Sequence, residues 1–520
     1  MSHLNQFEET PQPLGYGAPE PPEEKTLFGH PRGLYVLFST ELWERFSFYS
    51  MRGVMTLYMV QVVLAHMTAE KGADAAGGFA DQVYGAYLGF VYSATFIGGM
   101  LADRLLGQRK AIYIGGILMS IAHFMLTTHA IMTNGADNPT ELNYLFYLGL
   151  GLLACGNGFF KPNISTIVGT LYTPQDQRRD GAFTIFYMGI NVGATAASFS
   201  SGVAQEWGWY LAYLLAGAGM IASLAILFLG RNWVGPRGLA PEGARLTGPG
   251  RFGIPNVVLL ILGVLIYIPV ASYLMSKPES VQNLTKWLIA PVLAYLIYEI
   301  VRGKGEERGR MIVIIVLCAF SMVFWGFFEL QGSTIIRFAD LDVSMQIFKW
   351  KVPSAWFGNF VNPFLIILLG IPFAWLWVWM DRKKIEPSTP LKFSLGLIQV
   401  AGGFLLLWVA SKQADAGGKG SIILLTLTYL LFTTGELCLS PVGLSMITKL
   451  SPTRLVGVFM GLWFLAPAIG NVLTGGIVGR MVEAKGFTHT FMVITITIAA
   501  SSVLLAILVV PLKRMMHGVK

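Results

Sequence analysis

Apolar runs about as long as a helix needs to cross a bilayer recur along nearly the whole chain. They fall near 33–64, 78–103, 109–131, 141–172, 181–204 and 209–230, then near 253–275 and 285–301, then near 309–336, 353–380, 391–411, 420–448, 454–480 and 488–512. In hydrocarbon every backbone N–H and C=O must find a partner within the protein, so only helices and closed barrels can span. The period-2 alternation of a barrel strand is absent, which leaves helices. The chain is therefore read as an all-α polytopic membrane protein of about fourteen spans, grouped six, two and six. A polar segment rich in Gly, Pro and Arg, from Arg231 to Arg251, separates the first group from the second. The expected divisions are a six-helix bundle at 31–231, a linker and extra hairpin at 232–305, and a second six-helix bundle at 306–513. Residues 1–30, rich in Pro, Glu and Gly and without a cleavable leader pattern, read as a disordered cytoplasmic tail, and 514–520 as another.

Charge supports this class. Charged residues make up 13% of the 520, about half the usual share of a soluble domain. The net charge of +8 sits in short loops, such as Arg104, Arg109 and Lys110, Arg178 and Arg179, or Arg382, Lys383 and Lys384. These loops lie on one side of the predicted topology, so the basic excess orients the chain with both termini cytoplasmic and is no nucleic-acid footprint. Cys155, Cys318 and Cys438 all fall within apolar runs and read as buried small residues, with no disulfide or metal site implied. No cofactor is expected.

Against this background seven ionisable residues stand inside apolar runs: Glu41, Glu44, Arg45, Arg52, Lys161, Glu329 and Glu436. Each costs about 2.5–3.5 kcal/mol at mid-membrane on insertion scales, so each marks a bundle interior or an aqueous pathway. Four acids face three bases, and full pairing leaves one acid over, as in a site that takes up one proton. In the first run, positions 41, 44, 45, 48 and 52 share a helical face. Glu41 and Arg45 are placed to pair at i, i+4, whereas Glu44 needs another partner. The bland alternative is a salt bridge that stiffens the helix. Lys161 precedes Pro162, whose ring frees a backbone carbonyl. Glu329 and Glu436 belong to the second bundle and the three bases to the first. A peptide zwitterion needs both signs in one pocket, and this split suits it, although plain salt bridges between the bundles fit too.

The run Gly99-Met100-Leu101-Ala102-Asp103-Arg104 with Gly107-Gln108-Arg109-Lys110 is similar to the loop motif of the major facilitator superfamily. Glu41, Glu44, Arg45 and Phe46 match an E-x-x-E-R-F motif. Phe186, Tyr187, Ile190, Asn191 and Gly193 match F-Y-x-x-I-N-x-G. With Lys161, the E-x-Q-G-S stretch at Glu329 and the G-E-x-x-x-S-P stretch from Glu436 to Ser440, the chain resembles the proton-dependent oligopeptide transporters, the peptide branch of that superfamily, over nearly everything beyond residue 30. The extra hairpin matches bacterial members. The resemblance implies a major facilitator fold and a proton-coupled symporter that imports di- and tripeptides across the bacterial inner membrane by alternating access. It implies proton coupling by Glu41, Glu44, Arg45, Lys161 and Glu329. It implies peptide binding by Arg45, Tyr49, Arg52, Tyr92, Lys161, Tyr187, Asn191, Trp325, Glu329, Asn362, Glu436, Ser440 and Trp463, with Trp356 also lining a side-chain pocket. Departures are Phe48 for a common Tyr, Ser50 for a common Gly, and Ala194 and Thr195 where Ser and Leu are frequent. Gly85 stands where animal members carry a functional His, so His123 and His129 are read as structural or interfacial.

Three rival readings remain, one of them a sensor or receptor of transporter-like architecture that would bind ligand without flux. The same scaffold could carry a peptide-like drug or nitrate. An intramembrane enzyme is disfavoured, because no H-E-x-x-H, G-x-S-x-G or metal cluster appears. The partners expected are small peptides, protons and the lipid bilayer. The hairpin, uncharged except near its ends, is read as peripheral and without a transport role.

Overall fold

A computed structural model describes residues 26–134, 139–173, 176, 178–240, 246, 248 and 253–518. Most of the expected N-terminal tail lies outside these residues, but Thr26–Leu27 pairs antiparallel with His30–Pro31, so the chain is ordered before residue 31. Helices make up nearly all the rest. The first group is α1 (Arg32–Tyr58), the short α2 (Ala65–Lys71), α3 (Ala73–Leu101), α4 (Gln108–Met132), α5 (Asn143–Thr170), α6 (Arg178–Trp207), α7 (Tyr210–Leu229) and the single turn α8 (Arg231–Val234). The hairpin is α9 (Asn256–Ser276) and α10 (Pro278–Arg302). The second group is α11 (Gly305–Phe328), α12 (Thr334–Asp342), α13 (Ser354–Arg382), α14 (Thr389–Asp415), α15 (Ile422–Leu450) and α16 (Val456–Met515).

Eleven helices are long and apolar enough to cross a membrane, or twelve if the bent pair Arg32–Val63 and Ala65–Lys71 counts as one. The expectation of about fourteen is thus reached only in part. Two features bear on the count. The 28-residue α5 carries Asn157, Lys161 and Asn163 and is not among the eleven. The 60-residue α16 is two helices joined at Gly486, whose φ of 74° is a backbone state open mainly to glycine.

Buried apolar side chains form two separate cores. One runs from Leu34 to Val281 and takes in Ile336, Ala355 and Val472 of the second group; the other runs from Leu296 to Met516. The halves meet along α3 and the first part of α16, and along α6 and α13. Small residues allow the first contact. A Cβ at Gly85 would stand 2.4 Å from the Asn471 carbonyl oxygen, so these backbones pass too closely for any side chain there. The hairpin keeps apolar side chains such as Leu265, Ile266 and Trp287 outward. It is nevertheless tied to both halves. Gln282 of α10 is buried; its Nε2 donates to Gln82 of α3 at 3.0 Å, and its Oε1 accepts from Arg480 of α16 at 2.7 Å.

Candidate functional site

A 3-10 turn, a proline inside a helix and a glycine inside a helix stand beside the three charges that reach inward. After α11 the chain tightens into a 3-10 turn, Glu329–Gly332, before α12 begins, and Glu329 opens that turn. Pro162 sits inside α5 directly after Lys161, and Gly435 precedes Glu436 in α15. All three charges reach one cavity of about 350 Å³ between the halves, at the small end of ligand pockets.

Of the residues singled out from sequence, Tyr49, Arg52, Tyr92, Lys161, Tyr187 and Asn191 line the cavity from the first half. Trp325, Glu329, Asn362, Glu436 and Trp463 line it from the second. Arg45 does not. It is buried beside Glu41 and Glu44, and its Nε lies 3.1 Å from Glu41 Oε1. The same Nε also contacts Glu44, which corrects the expectation that Glu44 needs a partner other than Arg45: a long guanidinium stem curls between two carboxylates on one helix face. Asn157 Nδ2 then donates to the other Glu44 oxygen at 3.3 Å. Trp356 does not line the cavity either. Its ring stacks on Phe360 at 4.4 Å and meets Trp350 and Phe199 edge-on, because its α13 face turns toward the end of α6. The side chain of Ser440 lies outside the described residues.

The ionic partners are unequal. Arg52 pairs with Glu329 and donates from Nε to the Tyr84 hydroxyl at 2.6 Å. The Tyr92 hydroxyl donates to the second Glu329 oxygen at 3.3 Å. Lys161 and Glu436, in contrast, have no ion-pair partner within 4.0 Å among the described residues. The Lys161 ammonium lies 5.0 Å from the Tyr92 ring centroid and interacts electrostatically with Glu41, Glu44 and Glu329. Among the described residues Glu436 accepts only a neutral donor, Asn362 Nδ2, at 3.2 Å. One unpaired cation from the first half and one unpaired anion from the second therefore face the same small cavity.

Sequence reading missed the closure beside the cavity. Asp81 of α3 and Arg337 of α12 form a fully buried pair at 2.6 Å, and Thr334 donates to the same carboxylate at 2.8 Å. Both charges were open to view. Asp81 lies within the run at 78–103, and Arg337 stands one residue past the run at 309–336. Adding one acid and one base leaves the surplus acid unchanged. Nearby, Gln205 donates to Asp340 at 2.7 Å and accepts from the Ala355 backbone at 2.8 Å, and Thr56 donates to the Gly332 carbonyl at 3.1 Å. These contacts between halves lie toward the ends of the helices remote from the chain termini. His123 and His129 are spent on helix contacts, with Ser47 at 2.8 Å and Tyr58 at 2.5 Å. Cys155, Cys318 and Cys438 are buried and free.

A sequence model described as the POT family matches residues 109–494. The chain belongs to the POT family. Among its relatives, peptide transporter YePEPT of Yersinia enterocolitica is 34% identical over 516 residues, 96% of this chain and 97% of the relative. A di-/tripeptide transporter of Lactococcus lactis subsp. cremoris is 33% identical, with 96% of this chain and 99% of the relative covered. The crystal structure of peptide transporter POT in complex with sulfate matches with a TM-score of 0.80 at 31% identity, over 95% of this chain and 98% of that one. A POT family transporter in complex with 5-aminolevulinic acid matches with a TM-score of 0.78 at 26% identity, over 94% and 98%. Within this POT chain, residues at the cavity that no motif indicated include Asn359, Ile336 and Phe464. They come from ordinary helical positions and carry no charge, so only their placement in space distinguishes them.

Proposed function

We propose that this chain is a proton-coupled symporter that imports di- and tripeptides by alternating access. The observation that carries the reading is the unpaired Lys161 and Glu436 at one cavity in which Arg52 and Glu329 neutralise each other. A peptide zwitterion brings the two charges these residues lack. Its carboxylate would lie toward Lys161 and Arg52, and its ammonium toward Glu436, Asn362 and Asn191. A bare anion such as nitrate would leave Glu436 buried and unpaired, which is costly; peptide-like drugs that keep both charges remain compatible.

The proton site in this reading is the cluster of Glu41, Glu44 and Arg45. Two carboxylates share one guanidinium, and Glu41 Oε2 and Arg45 Nη2 are buried without a hydrogen-bond partner. A net negative charge sealed in low dielectric favours taking up one proton. Lys161 and Glu329 sense that change from the cavity wall. The driving force is sufficient: about 2.3 kcal/mol per charge per 100 mV, with about 1.4 kcal/mol added per pH unit.

For the architecture we count fourteen spans by joining the bent pair, adding α5 and dividing α16 at Gly486. The termini are cytoplasmic in the bacterial inner membrane, the loop bases setting the orientation. The contacts between halves beside Asp81 and Arg337 then close the outer face, leaving the cavity to open inward. Purified protein in liposomes tests coupling. Dipeptide uptake should follow an imposed proton gradient and potential, and uptake that is unchanged when both are collapsed would end the proposal. Glu44→Gln should retain peptide exchange across the membrane and lose uphill accumulation.

A further inference from the structure

Asn359 joins the cavity to its outer closure, and no motif accounts for it. It belongs to α13 of the second half, yet its Nδ2 donates to the Tyr49 backbone carbonyl of α1 at 2.8 Å and to Ser201 Oγ of α6 at 2.9 Å. A carbonyl oxygen can only accept, so the orientation of the carboxamide is fixed: nitrogen toward the first half. Gly53 makes room for it, since a Cβ there would lie 1.8 Å from Nδ2. The other end of the amide is free. Asn359 Oδ1 accepts no hydrogen bond among the described residues and is not a sealed atom, while the residue lines the cavity. One side chain therefore latches the halves with its donor and offers an acceptor to whatever fills the cavity.

The spacing selects which group of a peptide reaches it. Asn359 precedes Asn362 by three residues, about 4.5 Å along the helix and on the same side. Asn362 holds Glu436, where the ammonium would sit. One peptide residue spans about 3.3–3.6 Å, so the first amide N–H of a substrate falls near Asn359. We infer that Asn359 is a positioning and specificity residue that reads this amide N–H through Oδ1 while its Nδ2 latches the outer closure. This rests on the peptide reading above. Substrate occupancy is thereby coupled to the bond that must break when the outer face opens.

The test compares L-alanyl-L-alanine with its depsipeptide, in which an ester oxygen replaces the amide N–H, as competitors of labelled dialanine uptake in liposomes. Shape and terminal charges are kept and one donor is lost. The wild type should prefer the amide by about tenfold, the worth of one buried hydrogen bond. Asn359→Ala should shrink that preference to about twofold or less. It should also raise labelling, from outside, of a single cysteine placed at the fully buried Ala355 against the buried native cysteines. A preference unchanged in Asn359→Ala overturns the inference even if labelling rises, because a merely structural latch would move labelling alone. If Asn359→Ala does not fold, Asn359→Asp keeps an acceptor and loses the donor. It should retain the amide preference and increase labelling, and loss of the preference there also overturns the inference. A wild type that moves neither compound strikes the transport reading itself, a result distinct from peptide uptake with no amide preference.

Discussion

Lys161 and Glu436 show how a single side chain can be conspicuous in a sequence while its role stays hidden. Their presence in apolar runs was legible because lipid makes every such charge expensive. Their lack of an ionic partner was not, because the residue that does find one, Arg52, pairs with Glu329 across 277 positions of chain. Removing a charge that a buried ligand group needs costs about 2–5 kcal/mol in comparable interfaces. Glu436→Gln should therefore weaken dipeptide competition by roughly thirtyfold or more. Dipeptides with an acetylated amine should bind weakly to the wild type and lose little further in the variant. Equal losses for both ligands in liposome uptake would remove Glu436 from the amine site. Asn157 belongs at the same scale. Its hydrogen bond to Glu44 joins α5 to the cluster of Glu41, Glu44 and Arg45, and nothing in its residue type set it apart from other asparagines.

Among helices, the apolar runs located most elements, since length and composition govern spanning. Breaks were harder to see. Gly486 reads as one glycine among 59, yet its positive φ turns α16 into two helices. The hairpin shows the opposite limit. Its surface is largely outward and apolar, as composition indicated, but Gln282 is buried and bridges Gln82 and Arg480. This lays α10 across the seam between α3 and α16. Gln282→Leu should leave the Arg480 guanidinium with one partner fewer and destabilise the protein by about 1–3 kcal/mol. The expected readout is a lower unfolding temperature together with faster labelling of outer-face cysteines. A hairpin that is only a lipid-facing appendage would show neither. Gly85→Leu should be more severe. Its side chain meets the Asn471 carbonyl, so the seam has to separate, and transport should be lost with protein still in the membrane.

For the molecule as a whole, the buried Asp81–Arg337 pair joins the two halves, and the proposed cycle has it hold the outer face shut. Breaking a buried pair by removing one partner costs about 3–5 kcal/mol. An equilibrium between inward- and outward-open states shifts by as much as the pair favours one of them. Asp81→Asn and Arg337→Gln should each populate the outward-open state, and the exchanged pair Asp81→Arg with Arg337→Asp should recover part of the closure. Spin-label distances between α3 and α12 measure this, and unchanged distances in both single variants would show that the pair does not hold the face shut. By itself the sequence determined that this chain lives in lipid, that it is helical, and which charges are too costly to be idle. Those properties follow from local composition against a solvent of fixed thickness. Which charges neutralise each other, which two are left facing one cavity, and which face is closed were decided only by tertiary structure. Pairing depends on the approach of segments hundreds of residues apart, and no local pattern encodes that distance.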